Sequence, residues 1–516
     1  MSVDAEKQTG SINNKVLIGQ SLYQRKTKFV ELGSSSVVVP GVYNVSNRQG
    51  ELTGGESNTL RRKWGYYADY TGNWKDMVFL NASFRYDGSS VFYAPGRDAS
   101  LYTFPYYGAT LSGILTDIVP SLKSNILSFA KLRVGYNVNG ADNLSPYSLD
   151  PIYPVGANYP YGNNVGYTVG GTLPDKGLKP EKVASFEYGG EFSLFRNRVN
   201  LDVTAYTSKT TDGLLTVRIP NTTGFQNLLL NVGETKNWGY EADLKVQVIR
   251  NRKLNWDVNV RYSYNDNKVV KLYGGVNEFA YGGYTYAQTF VIKDQRYPFL
   301  RTTDYVRDAA TGLRMVNRTN GYPLLNATLK DMGGTLTRHM IGLGSKLSYD
   351  AFQLAFNFEY RGGNKMFSQI GRDMTFTGSG KWTENRTPHV FPQSAYDDGT
   401  GKVVANTTVN VAEAEYALWV DYFRQVASNF VTPGWFIKLR DINLSYNLPA
   451  NIVRKSKVFS AANIALYGRN LFTIVDKANY YTDPEFSFTT GNGIGINNSL
   501  QTPPVRQYGF NLNLTF

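Results

Sequence analysis

Residues Trp256-Asp257-Val258-Asn259-Val260-Arg261-Tyr262-Ser263-Tyr264 alternate strictly between apolar or aromatic and polar side chains. A period of two puts every second side chain on the same side of an extended strand, so this stretch has one apolar and one polar face. Outward from it the rhythm recurs. Leu80, Ala82, Phe84 and Tyr86 alternate with Asn81, Ser83, Arg85 and Asp87. Val199, Leu201, Val203 and Ala205 alternate with Asn200, Asp202 and Thr204, and Leu354, Phe356, Phe358 and Tyr360 with Asn357, Glu359 and Arg361. Such runs last about 9–13 residues, beyond the ~5–6 of a typical soluble strand and close to what a tilted membrane strand needs. Strands are predicted at approximately 14–23, 62–72, 76–86, 104–115, 129–138, 183–194, 197–209, 236–249, 253–265, 336–349, 352–361, 436–447, 459–470 and 504–516. That makes about fourteen, an even number as bacterial membrane barrels require. At Arg440-Asp441 the alternation slips by one residue, and a β-bulge there would restore the phase.

Short connections fall at Gly72 to Lys75, Phe195-Arg196, Arg250 to Arg252 and Asp350-Ala351. Long ones cover 24–61, 87–103, 139–182, 210–235, 266–335, 362–435 and 471–503. Compact soluble domains tolerate few structureless loops beyond about 12–15 residues. A transmembrane barrel, with tight turns at one rim and long loops at the other, produces this alternation directly. Within 362–435, Val411 to Val426 departs from the β pattern: Ala414, Leu418, Tyr422 and Val426 recur at four-residue spacing, which predicts a short helix packed in the loop. At the C-terminal end Phe510, Leu512, Leu514 and Phe516 alternate with polar residues and finish on an aromatic, as expected for a closing strand that carries a barrel-assembly signal. The start, Met1-Ser-Val-Asp-Ala-Glu-Lys-Gln, lacks the apolar region of a signal peptide, so a natural N-terminal part is expected to precede it.

Composition narrows the classes further. The 516 residues include no cysteine, two histidines and 38 tyrosines, with 14% aromatic and 18% charged residues. That is too aromatic for a disordered chain. The mean hydropathy of −0.34 is too low for a helical membrane protein, and no run approaches the ~18 apolar residues of a spanning helix. Without cysteine there is no disulfide, thiolate zinc site or cysteine nucleophile. The net charge is +13, but the basic residues are scattered, so no nucleic-acid partner is expected. A solvated surface that happens to be basic is the preferred reading of this charge, which no specific anion site explains. For a chain set in an outer membrane, the lipid and the anionic lipopolysaccharide around its loops would be the partners. His339 opens a strand and His389 lies beside Pro388 in a loop, neither within a recognisable catalytic or metal motif. Asp397-Asp398-Gly-Thr-Gly401 lacks the alternating acids and closing glutamate of a calcium loop. Gly170-Gly171 and Gly282-Gly283 lack the lysine and following helix of a phosphate loop. No enzyme activity, cofactor or metal is expected.

Several segments resemble the SusC/RagA-type TonB-dependent outer-membrane transporters. Leu80-Asn-Ala-Ser-Phe-Arg-Tyr-Asp-Gly-Ser-Ser90 resembles their "anfRxDGSS" strand-to-loop motif, and Leu132-Arg-Val-Gly-Tyr-Asn-Val-Asn-Gly140 their "LRxsyGxtGn" strand. Leu178-Lys-Pro-Glu-Lys182 is similar to "LkPEk", Tyr206 with Lys209-Thr-Thr-Asp212 to "YxxkTxDll", and Asn231-Val-Gly-Glu-Thr-Lys-Asn-Trp-Gly-Tyr-Glu241 to "NaGexxNkGxE". Phe436-Ile-Lys-Leu-Arg-Asp441, Asn470-Leu-Phe-Thr473 and Asp483-Pro-Glu485 follow in the family's order. The match runs from about residue 60 onward, so 1–61 reads as a first strand with a long outer loop and 62–516 as the C-terminal portion of a barrel.

The resemblance implies an all-β fold: an antiparallel transmembrane β-barrel of the outer-membrane type. The about fourteen strands here would form the C-terminal part of a roughly 22-stranded barrel. It implies a multi-pass protein in the outer membrane of a Gram-negative, Bacteroidetes-like bacterium, engaged in TonB-dependent uptake of an oligomeric glycan or peptide. The implied partners are a SusD-like surface lipoprotein and TonB-ExbB-ExbD, the latter acting through a plug domain not visible in this chain. Substrate contacts are expected from Tyr153, Tyr159, Tyr161 and Tyr167 in one loop and Trp382 and Arg386 in another. Aromatic faces suit sugar rings, and a planar guanidinium suits carboxylates. A passive porin-like barrel and a soluble secreted glycan-binding β-protein are the alternatives.

Overall fold

The computed structural model describes residues 1–516 except positions 151, 157, 158, 160, 454, 456, 488–492, 501 and 503. The connections expected over 139–182 and 471–503 lie outside the described residues at those positions. The chain forms two compact units: Met1–Gly113, Arg133–Phe186 and Ser208–Glu234 make one, and Ile114–Leu132, Glu187–Thr207 and Thr235–Phe516 the other. Among the described residues no helix is long and apolar enough to cross a membrane.

In the first unit the strands Ser2–Thr9, Ile12–Gly33, Thr53–Trp74, Val78–Ser89 and Thr103–Ile114 each pair antiparallel with the next. The ladder between the second and third runs unbroken from Ile12↔Trp74 to Gly33↔Thr53. Much of the connection expected over 24–61 is therefore strand. Its polar residues show little apolar period, but ladder hydrogen bonds satisfy the backbone whatever the side chain. Ser2–Thr9, charged and weakly patterned, is a further strand that alternation did not mark. The motif glycine Gly88 faces Trp64 across the ladder, where an added Cβ would stand 2.4 Å from the indole. Three other motif segments meet at Asn231. Its amide donates to the carbonyls of Lys179 at 2.9 Å and Asp212 at 2.6 Å and accepts from the Lys179 N–H at 3.0 Å.

The second unit carries the strands Leu254–Leu272, His339–Tyr349, Phe352–Gly362, Phe436–Asn447, Ala461–Arg469 and Gln507–Thr515, again each antiparallel to the next. Tyr349 pairs with Phe352 across the expected turn at Asp350-Ala351. Trp256, Leu347, Leu354 and Leu444 fall in one cross-strand row, and Asp257, Lys346, Ala355 and Asn443 in the next. Because successive rows point to opposite sides, the wall has an apolar face and a polar face. The apolar face is bare: Leu347 is 37% exposed, Leu444 44% and Phe510 72%. Phe510, Leu512 and Leu514 lie opposite Leu466, Ile464 and Ala462, and the Phe516 ring rests 5.0 Å from Phe459. The bulge forms where the phase slip requires it: Asn357 pairs with Asp441 and Phe358 with Leu439, leaving Arg440 as the extra residue.

The conventional hydrophobic core of this unit lies in its connections rather than its wall. A four-stranded sheet of Glu278–Tyr284, Ala287–Ile292, Phe299–Tyr305 and Leu325–Gly334 packs there. Leu300, Phe367 and Phe430 are fully enclosed in one cluster and Val411, Leu418 and Val426 in another. Each such side chain contributes about 1.5–3 kcal/mol by leaving water. The helix expected over 411–426 is shorter. The Val411 and Ala412 N–H groups bind the carbonyls of His389 and Asn320, so that backbone serves the neighbouring loops. The Glu413 carboxylate then caps the N–H groups of Glu415, Tyr416 and Ala417. A π-helical turn Ala417–Tyr422 and a 3-10 turn Phe423–Gln425 follow. Ala414, Leu418 and Val426 still share the buried side.

In lipid, Leu444→Arg on the apolar face is expected to destabilise the wall, by about 2–4 kcal/mol at the hydrocarbon midplane. Asn443→Arg, on the other face, should cost under about 1 kcal/mol. Denaturant unfolding in vesicles measures both, and equal costs would contradict a two-faced wall.

Candidate functional site

The tyrosine-bearing loop belongs to the first unit. Val155 bridges Tyr167 and Tyr161 bridges Asn164, while the N–H groups of Gly156, Thr168 and Gly170 donate to the carbonyls of Gly166, Pro154 and Ile152 at 2.7, 2.9 and 3.0 Å. These bonds fold the loop back on itself and hold Tyr153, Tyr159, Tyr161 and Tyr167 exposed to solvent. Tyr159 lies against two glycines, and a Cβ added at Gly166 would meet its ring at 2.7 Å. In the same unit Asp142 receives Arg61 and Lys63, both at 2.6 Å, and the Ser89 hydroxyl at 2.8 Å. Burial opposes the charge of Asp142, but its hydrogen bonds from Lys63, Arg61 and Ser89 hold the carboxyl below its usual range.

Trp382 and Arg386 both attach to the helix Gln369–Thr377 of the second unit. The Ser368 hydroxyl caps its start by accepting from the Gly371 N–H at 3.4 Å, and Gly378, at φ +66°, ends it. The half-buried Trp382 donates its indole N–H to Thr375 Oγ1 at 3.0 Å and meets the Tyr481 ring edge-on at 5.1 Å. Burial pushes the Tyr481 hydroxyl up to about 12. Arg386 reaches the Gly378 carbonyl at 3.5 Å. Trp382 thus spends much of its ring on packing, whereas the four tyrosines stand in solvent.

The polar face of the second unit's wall holds an ion lattice. Lys438, only 3% exposed, binds Asp483 at 2.7 Å and Glu485 at 2.5 Å. The bulged Arg440 donates to both Glu485 oxygens, at 2.8 and 2.6 Å, and to Glu359, which also receives Arg361. Lys438 and Arg440, two residues apart, share a side as in any strand. The bulge brings Asp441 to that side as well, opposite Asn357, whose amide donates to it at 2.9 Å. Two wall cations therefore clamp the motif Asp483-Pro-Glu485 of the following connection. Burial works against a charge at Glu485, but hydrogen bonds from Arg440 and Lys438 overcome it and hold the carboxyl down at about 2. Elsewhere on this face a cavity of ≈ 570 Å³ is lined by Asn200, Lys245, Asp257, Asn259, Arg261 and Asn357. Sequence order showed the Asp-Pro-Glu motif but not its partners, because the residues it joins are 126 positions apart at most and only the register brings Glu359, Lys438 and Arg440 together. This geometry fixes a loop in the second unit and leaves four tyrosine rings exposed in the first.

Comparison with known proteins gives a consistent assignment. The family model for "TonB dependent receptor-like, beta-barrel" matches residues 5–337. The chain is 23% identical to TonB-dependent receptor P39 of Formosa agariphila, over 92% of this chain and 48% of that protein. It is 25% identical to TonB-dependent receptor SusC of Bacteroides thetaiotaomicron, over 70% of this chain and 35% of that protein. Its fold superposes on a chain of the RagAB peptide transporter with a TM-score of 0.77 at 18% identity, covering 100% of this chain and 55% of that one. The chain spans about half the length of such relatives.

The depressed Glu485 carboxyl makes the clamp pH-dependent. Its contribution is complete above the ordinary carboxyl value of 4.5 and is lost as pH falls towards about 2. Wild-type protein is expected to lose stability across that window, and Glu485→Gln to show a flatter profile and lower stability at pH 7. Denaturant midpoints measured between pH 7 and 2 decide; parallel curves would remove the clamp from the account.

Proposed function

This chain belongs to the TonB dependent receptor-like β-barrel family, and we propose that it supplies barrel wall and outer loops to an outer-membrane importer of an oligomeric glycan or peptide. The observation that carries this reading is the wall itself: a bare apolar face suited to lipid behind a polar face suited to a solute path. The relatives support it, one bearing the name SusC and another described as a peptide transporter. By the same kinship the working assembly would include a SusD-like surface lipoprotein, and TonB-ExbB-ExbD would supply energy through a plug domain. The membrane would be the outer membrane of a Bacteroidetes-like bacterium. Phe510, Leu512, Leu514 and Phe516 would serve as the assembly signal: the first three lie opposite Leu466, Ile464 and Ala462, and Phe516 packs on Phe459.

Substrate contacts are assigned first to Tyr153, Tyr159, Tyr161 and Tyr167, whose rings are exposed on a braced loop, and second to Trp382 and Arg386. Transport by capture and passage needs orientation and affinity from these groups and no proton or covalent chemistry. Replacing the four tyrosines by alanine in the complete transporter, at equal surface level, is expected to weaken substrate binding about tenfold or more, on the order of 1.4 kcal/mol. Uptake should also stop when TonB is removed. Unchanged binding would dismiss the tyrosines, and TonB-independent uptake would dismiss energised import.

A further inference from the structure

The helix Gln369–Thr377 carries an arginine that the contacts above leave unused. Arg372 is 7% exposed. A charge so enclosed ordinarily requires a counter-charge or a full set of hydrogen bonds. Arg372 has neither among the described residues: its Nε is buried without a partner, and it joins no ion pair. Instead its guanidinium carbon sits 3.8 Å from the centre of the Tyr286 ring, and Tyr286 stacks on Tyr284 with centroids 5.3 Å apart and planes at 4°.

A second arginine, half-buried, shares the unpartnered Nε. Arg424 lies over Phe376 at 4.9 Å, and its Nε is likewise buried and unpartnered. Asp373, next in sequence to Arg372, forms no ion pair with it among the described residues; its carboxylate accepts from Gln369 Nε2 at 2.7 Å, while Gln369 Oε1 accepts the Tyr286 hydroxyl at 2.9 Å. One glutamine thus fixes both the ring beneath Arg372 and the carboxylate beside it. Burial, and then the positive field of Arg424, hold Arg372 below the usual guanidinium value even with Asp373 nearby.

We infer that Arg372 and Arg424 form a subsite for a carboxylate carried by a solute. A ring stacked on the face of a guanidinium leaves the in-plane N–H groups for a ligand, and a planar carboxylate matches that edge with two parallel bonds. Two unpaired arginines supply the field to draw the anion in, and its arrival completes the buried donors that the protein leaves empty-handed. The carboxylate comes from a uronic acid or from the terminus of a peptide, the same chemistry on two carriers. The inference deepens the transport reading and rests on it for the purpose of the site, but the binding can be read without transport.

The test is calorimetric titration of the full chain in detergent with glucuronate and with N-acetylalanine, against glucose and N-acetylalanine amide as neutral counterparts. The charged probes are expected to bind and the neutral ones to fail. Arg372→Gln should weaken binding about tenfold or more. Arg372→Lys, which keeps the charge but loses the planar fork, should not restore it fully, and Lys402→Gln at an exposed turn should leave it unchanged. The stronger of the two charged probes names the carrier. Equal binding by Arg372→Gln, or by neutral and charged probes, would overturn the subsite. Should Arg372→Gln fail to fold, Arg424→Gln on a half-buried side chain decides by the same criterion. Binding that persists while TonB-dependent uptake is absent would sink the transport reading and leave the subsite standing.

Discussion

The backbone of a chain in lipid has no water to bind, so every N–H and C=O must find a partner within the protein. Antiparallel ladders meet that demand while leaving the two sides of the sheet free to differ. Here they differ consistently, as the rows through Leu444 and Asn443 show. A slip of one residue would send each apolar side chain to the polar side. The extra residue at Arg440 absorbs the one slip in the pattern, and the strand Phe436–Asn447 stays in phase on both sides of it.

Beside that correction the same strand holds two cations at one place, since Lys438 and Arg440 are two residues apart and share a side. The connection after Ala461–Arg469 brings Asp483 and Glu485 to meet them. Removing one partner from a buried pair costs about 3–5 kcal/mol, mainly because the other is left without compensation. The clamp therefore specifies where this connection lies. The first unit uses the same device at Asp142, which joins Arg61, Lys63 and Ser89. Polar faces thus do for the loops what apolar packing does in an ordinary core.

The loops of the second unit also have a core of their own, built on Phe367, Phe430, Leu418 and Val426. It explains the different settings of the aromatic residues. Trp382 is drawn into that packing through Thr375 and Tyr481, whereas the tyrosines of the first unit, braced by backbone bonds, keep their rings in solvent. A rigid support with exposed rings lowers the entropy cost of capturing a solute. Arg372 lies between these cases, enclosed by packing yet joined to no ion pair among the described residues.

The sequence by itself determined the wall. Alternation at Trp256–Tyr264 and its counterparts, with the rhythm of short and long connections, marked the wall strands other than Ser2–Thr9, the turn at Asp350-Ala351 and the bulge. It did so because a period of two is a local property that each residue carries independently of distant partners. The reach of Ile12–Gly33 and Thr53–Trp74 was illegible, since their outer residues carry no regular alternation of apolar and polar side chains and the ladder extends through them all the same. Tertiary structure alone decided the rest. The 411–416 backbone bridges neighbouring loops instead of coiling, Glu485 meets Lys438 and Arg440, and Arg372 meets Tyr286, because each depends on groups tens of residues apart that chain folding brings within hydrogen-bonding or stacking reach.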